Sequence, residues 1–181
     1  MTDPSPSHRR RPRIALLALA AAPAAALPLA APGAARAQPI PHPPQLELRN
    51  VATGKCLEVA DHRTDNGAPV RQWTCHGGPN QQWFLGYGGT LSNGASAKCL
   101  DIPGNSTVWG TRLVQWDCGG TSSANQHWIV PGYGLPSPDY LIGLGLVLDV
   151  PGGDPADGAP VVTWGANGGT NQRWACTTAR Y

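Results

Sequence analysis

An acidic residue, a tryptophan and an Asn-Gln pair recur three times along this chain in the same order. The sets are Glu58, Trp73 and Asn80-Gln81; Asp101, Trp116 and Asn125-Gln126; and Asp149, Trp164 and Asn171-Gln172. Each set joins a charged acceptor, a flat apolar face and a primary amide that both donates and accepts. That combination suits a pyranose, whose C–H face stacks on an indole while adjacent hydroxyls donate to the carboxylate. It does not suit hydrolysis. A glycosidase needs two carboxyl groups about 5–9.5 Å apart, and the three acids belong to separate repeats. Asp61 and Asp65 lie near Glu58, but in a turn-rich stretch that reads as solvated loop. The chain has no Gly-x-Ser-x-Gly, phosphate loop or His-Glu-x-x-His. His42, His62, His76 and His127 are scattered, so neither a metal site nor a cofactor is expected.

The elements that position these residues are three copies of one unit. The first contains Lys55-Cys56-Leu57-Glu58-Val59, Asn66-Gly67, Trp73-Thr74-Cys75 and Asn80-Gln81-Gln82-Trp83. The second has Lys98-Cys99-Leu100-Asp101-Ile102, Gly110-Thr111, Trp116-Asp117-Cys118 and Asn125-Gln126-His127-Trp128. The third has Val147-Leu148-Asp149-Val150, Asp157-Gly158, Trp164 and Asn171-Gln172-Arg173-Trp174. The closing tryptophans Trp83, Trp128 and Trp174 are 45 and 46 residues apart. Within each copy the apolar residues alternate, as in Leu57/Val59, Leu100/Ile102 and Leu148/Val150, which predicts short half-buried strands. Asn66-Gly67 and Asp157-Gly158 are turn dipeptides that tolerate positive φ. After the leader no segment carries a helical stripe, so the fold class is all-β with threefold internal repetition.

Three such units, opened by Cys-Leu-Asp or a variant and closed by Asn-Gln-x-Trp, resemble the ricin-type (ricin B-like) lectin domain. The resemblance covers roughly Gln45 to Tyr181. It implies a β-trefoil of twelve strands, with three lobes at about 45–87, 88–134 and 135–181 around a pseudo-threefold axis. It also implies that Asp101, Trp116 and Asn125 line a sugar pocket, as do Asp149, Trp164 and Asn171. Gln126 and Gln172 would hold the carboxylates. The first lobe departs from the pattern. Glu58 is one methylene longer than the usual Asp, and Arg71 stands where many family sites carry a polar amide. Arg71 shares the face of Glu58, so it is expected to pair with it and fill the pocket beside Trp73, Asn80 and Gln81. The middle and third lobes have Val114 and Val162 at that amide position, and each loses a polar contact. The third and middle lobes therefore rank above the first. The family includes galactose binders and xylan binders, so galactose- or xylose-containing glycans are the expected partners.

Cys56 to Cys75 and Cys99 to Cys118 share one spacing in sister repeats, which predicts two intra-lobe disulfides, each stabilising by about 3 kcal/mol. The third lobe has Val147 and Ala166 instead. Cys176, two residues beyond Trp174, matches Leu85 and Val130 and is expected in a core slot; an intermolecular disulfide and an exposed thiol are its alternatives. Trp83, Trp128 and Trp174 are expected in the core, with Trp73, Trp116 and Trp164 as platforms. Trp109 takes the place of Asn66 and Asp157 at an exposed turn. It either extends the middle site or only covers the lobe.

Residues 1–37 read as a secretory signal. Arg9–Arg13 supply the positive region, Ile14–Leu29 the apolar stretch, and Ala35-Arg36-Ala37 the cleavage site. Arg10-Arg11 is a twin-arginine pair, but the residues after it do not continue that motif. The apolar stretch is Ala-rich and broken by Pro23 and Pro28, unsuited to spanning a bilayer. Residues 38–44 form a Pro-rich lead-in. The net charge of +2 belongs to the leader, which holds five of the 13 basic residues and one of the 11 acidic ones. The remainder carries −2, which disfavours nucleic acid and anionic lipid as partners. Asn105-Ser106-Thr107 is a glycosylation sequon. The expected product is a secreted, monomeric carbohydrate-binding protein. The rival reading is an exported protein-interaction module, a hydrolase inhibitor or toxin-like adhesin, acting through the loop Pro131–Asp139.

Overall fold

The computed structural model describes residues 43–132 and 140–178. The leader over 1–37, most of the Pro-rich lead-in and the loop beyond Gly132 lie outside these. Eleven strands run in order: β1 (Gln45–Asn50), β2 (Cys56–Val59), β3 (Val70–Trp73), β4 (Trp83–Leu85), β5 (Leu91–Asn93), β6 (Cys99–Asp101), β7 (Val114–Trp116), β8 (Ile142–Gly143), β9 (Leu146–Asp149), β10 (Val162–Trp164) and β11 (Trp174–Thr178). The only helical elements among the described residues are three-residue 3₁₀ turns. None is long and apolar enough to cross a membrane.

The chain is a β-trefoil, as expected. β1 pairs with β11 (Leu48 opposite Cys176) and with β4 (Leu46 opposite Trp83), and β4 pairs with β5. Hairpins β2–β3, β6–β7 and β9–β10 carry the repeated site residues. Eleven strands lie among the described residues, where twelve were expected over the whole domain. Where the strand closing the middle lobe was expected, Ile129 bridges Ile142 and Val130 is also bridged.

Alternation sets the core. Leu57, Val59, Leu100, Ile102, Leu148 and Val150 are fully buried, with Trp83, Trp128 and Trp174 among them. Each closing indole donates to a leucine carbonyl of its own lobe: Trp83 to Leu57 (3.0 Å), Trp128 to Leu100 (3.0 Å) and Trp174 to Leu148 (3.2 Å). The core tryptophans therefore leave no buried donor unmet. At the pseudo-threefold axis the hairpins bond in a ring. Val70 N–H donates to Leu113 (3.0 Å), Leu113 to Val161 (3.1 Å) and Val161 to Val70 (3.5 Å).

Both expected disulfides are formed, Cys56–Cys75 and Cys99–Cys118, each with Cα atoms 5.1 Å apart. Cys176 takes part in neither. It is half-buried and packs against the core rather than within it, as does Leu85 at the equivalent place in the first lobe. The one acidic-and-thiol cluster among the described residues that is tight enough for a metal joins Glu47 to Cys56 and Cys75. Those two sulfurs are bonded to each other, which removes the thiolates a metal would need.

Candidate functional site

In the middle lobe Asp101 ends β6 and is nearly buried. Asn125 and Gln126, on the 3₁₀ turn Ala124–Gln126, both donate to Asp101 Oδ2, at 2.9 and 2.8 Å. Gln126 is itself clamped. Its Nε2 also donates to the Asp117 carbonyl (3.0 Å), and its Oε1 accepts from Gly119 N–H (2.8 Å). The third lobe repeats this with Asn171 and Gln172 on Asp149 Oδ2 (3.1 and 2.8 Å), Gln172 on the Gly165 carbonyl (2.9 Å) and Asn167 N–H on Gln172 Oε1 (2.8 Å). In both lobes the amides converge on Oδ2, and none of the described hydrogen bonds engages Oδ1. Burial pushes both carboxyls above the usual aspartate value of 3.8, and the two amide donors pull them part of the way back.

The asparagine amide nitrogens are spent within the site. Asn125 Nδ2 is spent on Asp101 and on the Ile102 carbonyl (3.1 Å), and Asn171 Nδ2 on Asp149 and Val150 (3.0 Å). They steady the carboxylate alongside the glutamines. A hollow of about 580 Å³ opens over Asp101, Gly104, Trp116 and Asn125. A second, of about 450 Å³, opens over Asp149, Gly152, Trp164 and Asn171.

The first lobe is filled by its own side chains. Glu58 is 2% exposed. Its Oε1 accepts from Arg71 Nε (3.0 Å), and its Oε2 accepts from Gln81 (3.0 Å), lies 3.3 Å from Asn80 Nδ2 and 3.3 Å from His76 Nε2. The Arg71 guanidinium lies 4.3 Å over the Trp73 ring and also holds Asp61 (2.9 Å). Cation and indole therefore satisfy each other. The covering is tight enough to bury Asn80, whose Oδ1 has no partner among the described residues. Asp61, read from sequence as solvated loop, is instead the far anchor of Arg71. Its backbone stands at φ 55°, where the sister lobes have Gly104 (φ 64°) and Gly152 (φ 64°). That exchange, Asp for Gly at one repeat position, is the signal that would have exposed it. The third hollow, about 190 Å³, is lined by Gln45, Glu47 and Gln82 rather than by Glu58 or Trp73.

Each platform tryptophan rests against the next lobe in the ring. Trp73 meets Gly158, Trp116 meets Gly67 and Trp164 meets Gly110. These glycines stand at φ 81–86°. A Cβ there would lie 3.5–3.7 Å from the indole, so the backbone angle, not space, demands glycine. Two of these junctions are stitched by polar groups. Asn66 Nδ2 donates to Asp117 (2.7 Å) and Asp117 N–H to Asn66 (3.0 Å), with Lys98 also on Asp117. Asp157 accepts from Thr74 N–H (2.7 Å) and Lys55 (2.7 Å). These ion pairs hold the Asp117 and Asp157 carboxyls below the usual aspartate value. Trp109 occupies the equivalent turn at the third junction. It lies beside Trp164 of the third lobe, not over the middle site, with ring centroids 5.5 Å apart.

The chain matches the model of the ricin-type β-trefoil lectin domain over residues 44–174. Among solved structures it is similar to ThreeFoil, a designed threefold-symmetric protein (34% identity, TM-score 0.67, 75% of this chain and 99% of that one). An exo-β-1,3-galactanase from Clostridium thermocellum, 1,3Gal43A, aligns at 31% identity and TM-score 0.63 over 78% of this chain but only 32% of its own. The C-half of an earthworm R-type lectin, solved with GalNAc, shares the fold at 20% identity and TM-score 0.63, covering 76% of this chain and 100% of that one.

Proposed function

This chain belongs to the ricin-type β-trefoil lectin family, and from that premise we propose that it is an exported, monomeric lectin whose middle and third lobes each bind one sugar unit. The observation that carries this reading is the pairing, in two lobes, of a buried, amide-clamped aspartate with a tryptophan that lines an open hollow. In the first lobe the same positions are consumed by Arg71. Asp101 and Asp149 each keep Oδ1 for sugar hydroxyls, while Trp116 (49% exposed) and Trp164 offer the stacking face. Galactose-type sugars are the first class to test, given the GalNAc held by the earthworm lectin, with xylose-containing polymers second. The third acid, Glu58, is buried and paired in its own lobe, which favours binding without catalysis.

Two disulfides support export, since such bonds persist in oxidising compartments. The signal-like leader over 1–37 agrees with it. A single shallow site of this kind gives about −4 kcal/mol, in the millimolar range; two on one rigid body gain by avidity on a repeating glycan. The test is a glycan array probed with the wild type, Asp149→Ala and Asp101→Ala. Each substitution spares folding, because Gln172 and Asn171, or Gln126 and Asn125, keep their carbonyl acceptors. Loss of binding in the double variant is expected. A wild type silent toward galactosides and xylans would sink the proposal.

A further inference from the structure

We propose that Trp109 and Trp164 together form a second sugar subsite, making the third lobe a reader of oligosaccharides rather than of single units. This rests on the reading of the third lobe as a sugar site and extends it. One pyranose sits at Asp149, and the neighbouring unit of the same chain lies against Trp109. The class of ligand is a neutral pyranose oligosaccharide, because the added surface is aromatic and brings no charge.

The argument comes from comparing the three junctions. At the turn position preceding each junction glycine, the first and third lobes carry Asn66 and Asp157, and both are committed to polar stitches with Asp117 and Thr74. Lys98 and Lys55 reinforce those stitches. At the remaining junction all three members are exchanged. Trp109 replaces the polar turn residue, Gly165 replaces Asp117 and Thr74, and Leu146 replaces the lysine. Gly165 has become indispensable to the new arrangement. A Cβ there would fall 2.5 Å from Trp109 Cζ2, so the indole lies on the bare backbone.

Stitching alone does not account for a tryptophan in this place. Trp109 remains 59% exposed, and Val108 beside it 69%. A large indole held in water next to a second aromatic is a contact surface awaiting a partner. Its tilt of 39° to Trp164 at 5.5 Å makes the two rings one continuous aromatic strip. Trp164 belongs at the same time to the hollow that contains Asp149. The strip therefore continues the pocket instead of forming a separate patch. The middle pocket has no such extension, because Asn66 and Asp117 occupy the corresponding place beside Trp116.

The experiment uses the chain carrying Trp116→Ala, which silences the middle pocket, titrated with galactose, β-1,4-galactotriose, xylose and xylotriose. With Trp109 intact, the trisaccharide of the sugar that binds is expected to exceed its monosaccharide by roughly five- to tenfold. Trp109→Asn, which restores the residue of the first lobe's turn, brings that ratio close to one and leaves monosaccharide affinity unchanged. Gly165→Ala, which pushes the indole off its seat, acts in the same direction. Thermal unfolding of both variants establishes that the fold survives. The proposal is overturned if the ratio persists in Trp109→Asn. It is equally overturned if monosaccharide and trisaccharide weaken together, since Trp109 would then only hold Trp164 in place. Absence of Asp149-dependent binding to all four probes overturns the underlying lectin reading, a different outcome from a preserved ratio.

Discussion

Replacing Arg71 by valine, its counterpart in both sister lobes, tests the account of the first lobe most sharply. The substitution removes the guanidinium from Glu58 Oε1, from Asp61 and from the face of Trp73. Glu58 is buried, and its Oε2 keeps Gln81, Asn80 and His76, so half of the carboxylate stays satisfied. Breaking a fully buried pair costs about 3–5 kcal/mol. Arg71 is partly exposed, and the Asp61 arm is a surface pair that contributes little. The expected loss is therefore about 2–3 kcal/mol, which for a domain of this size lowers the melting temperature by roughly 6–12 °C. Arg71→Val alone does not create a site, because the longer Glu58, Asp61 and His76 still crowd it. The combination Glu58→Asp, Asp61→Gly, Arg71→Val and His76→Asn copies the third lobe at Asp149, Gly152, Val162 and Asn167. It is expected to recover part of the stability, since glycine suits the φ of 55° at position 61. It is also expected to raise the number of bound sugars from two to three. Calorimetry and sugar titration read both quantities. An unchanged melting temperature in Arg71→Val, or wild-type binding that falls on Trp73→Ala, would refute the reasoning.

Other consequences follow from the same contacts. The raised carboxyls of Asp101 and Asp149 must be ionised to accept two hydroxyls, so sugar binding should fade on acidification at a pH above 3.8; fluorescence titration that finds full affinity at that pH contradicts this. The linkage to folding has the opposite sign: the native state takes up these two protons before the unfolded chain does, so their contribution to stability improves as pH falls through the raised values. Asp117 and Asp157 behave in the reverse sense. Their lowered values contribute stability that is present at neutral pH and lost in acid, and Asp157→Asn should flatten the acid limb of the unfolding curve. Removing Cys56–Cys75 by a double alanine substitution should cost about 3 kcal/mol in chemical denaturation, and removing Cys99–Cys118 a similar amount. Loss of one without effect would show that chain closure is not their role.

Much of this was legible because the repeat supplies its own alignment. Alternation in Leu57/Val59 and its sisters announced the strands, and the matched cysteine spacing announced both bridges. The crowding of Arg71 against Glu58 followed from β-strand parity together with the matched cysteines that set the two strands side by side. What stayed hidden depends on contacts across the fold, between lobes for Trp109 and within one lobe for Asp61 and the asparagines. Trp109 reads as a middle-lobe residue from its place in the chain, yet the junctions hand it to the third lobe. Asp61 looked like loop because its partner Arg71 lies across the hairpin at the site. The asparagines read as pocket-lining residues, whereas their amide nitrogens bond the carboxylate and a backbone carbonyl.

Counting sugar sites on the intact chain tests the central claim most directly. Titration with the best ligand from the array should give two sites in the wild type, one in Trp116→Ala, one in Trp164→Ala, none in the double variant, and two in Trp73→Ala. Three sites in the wild type, or binding that survives the loss of both Trp116 and Trp164, would contradict the assignment of the middle and third lobes as the open ones.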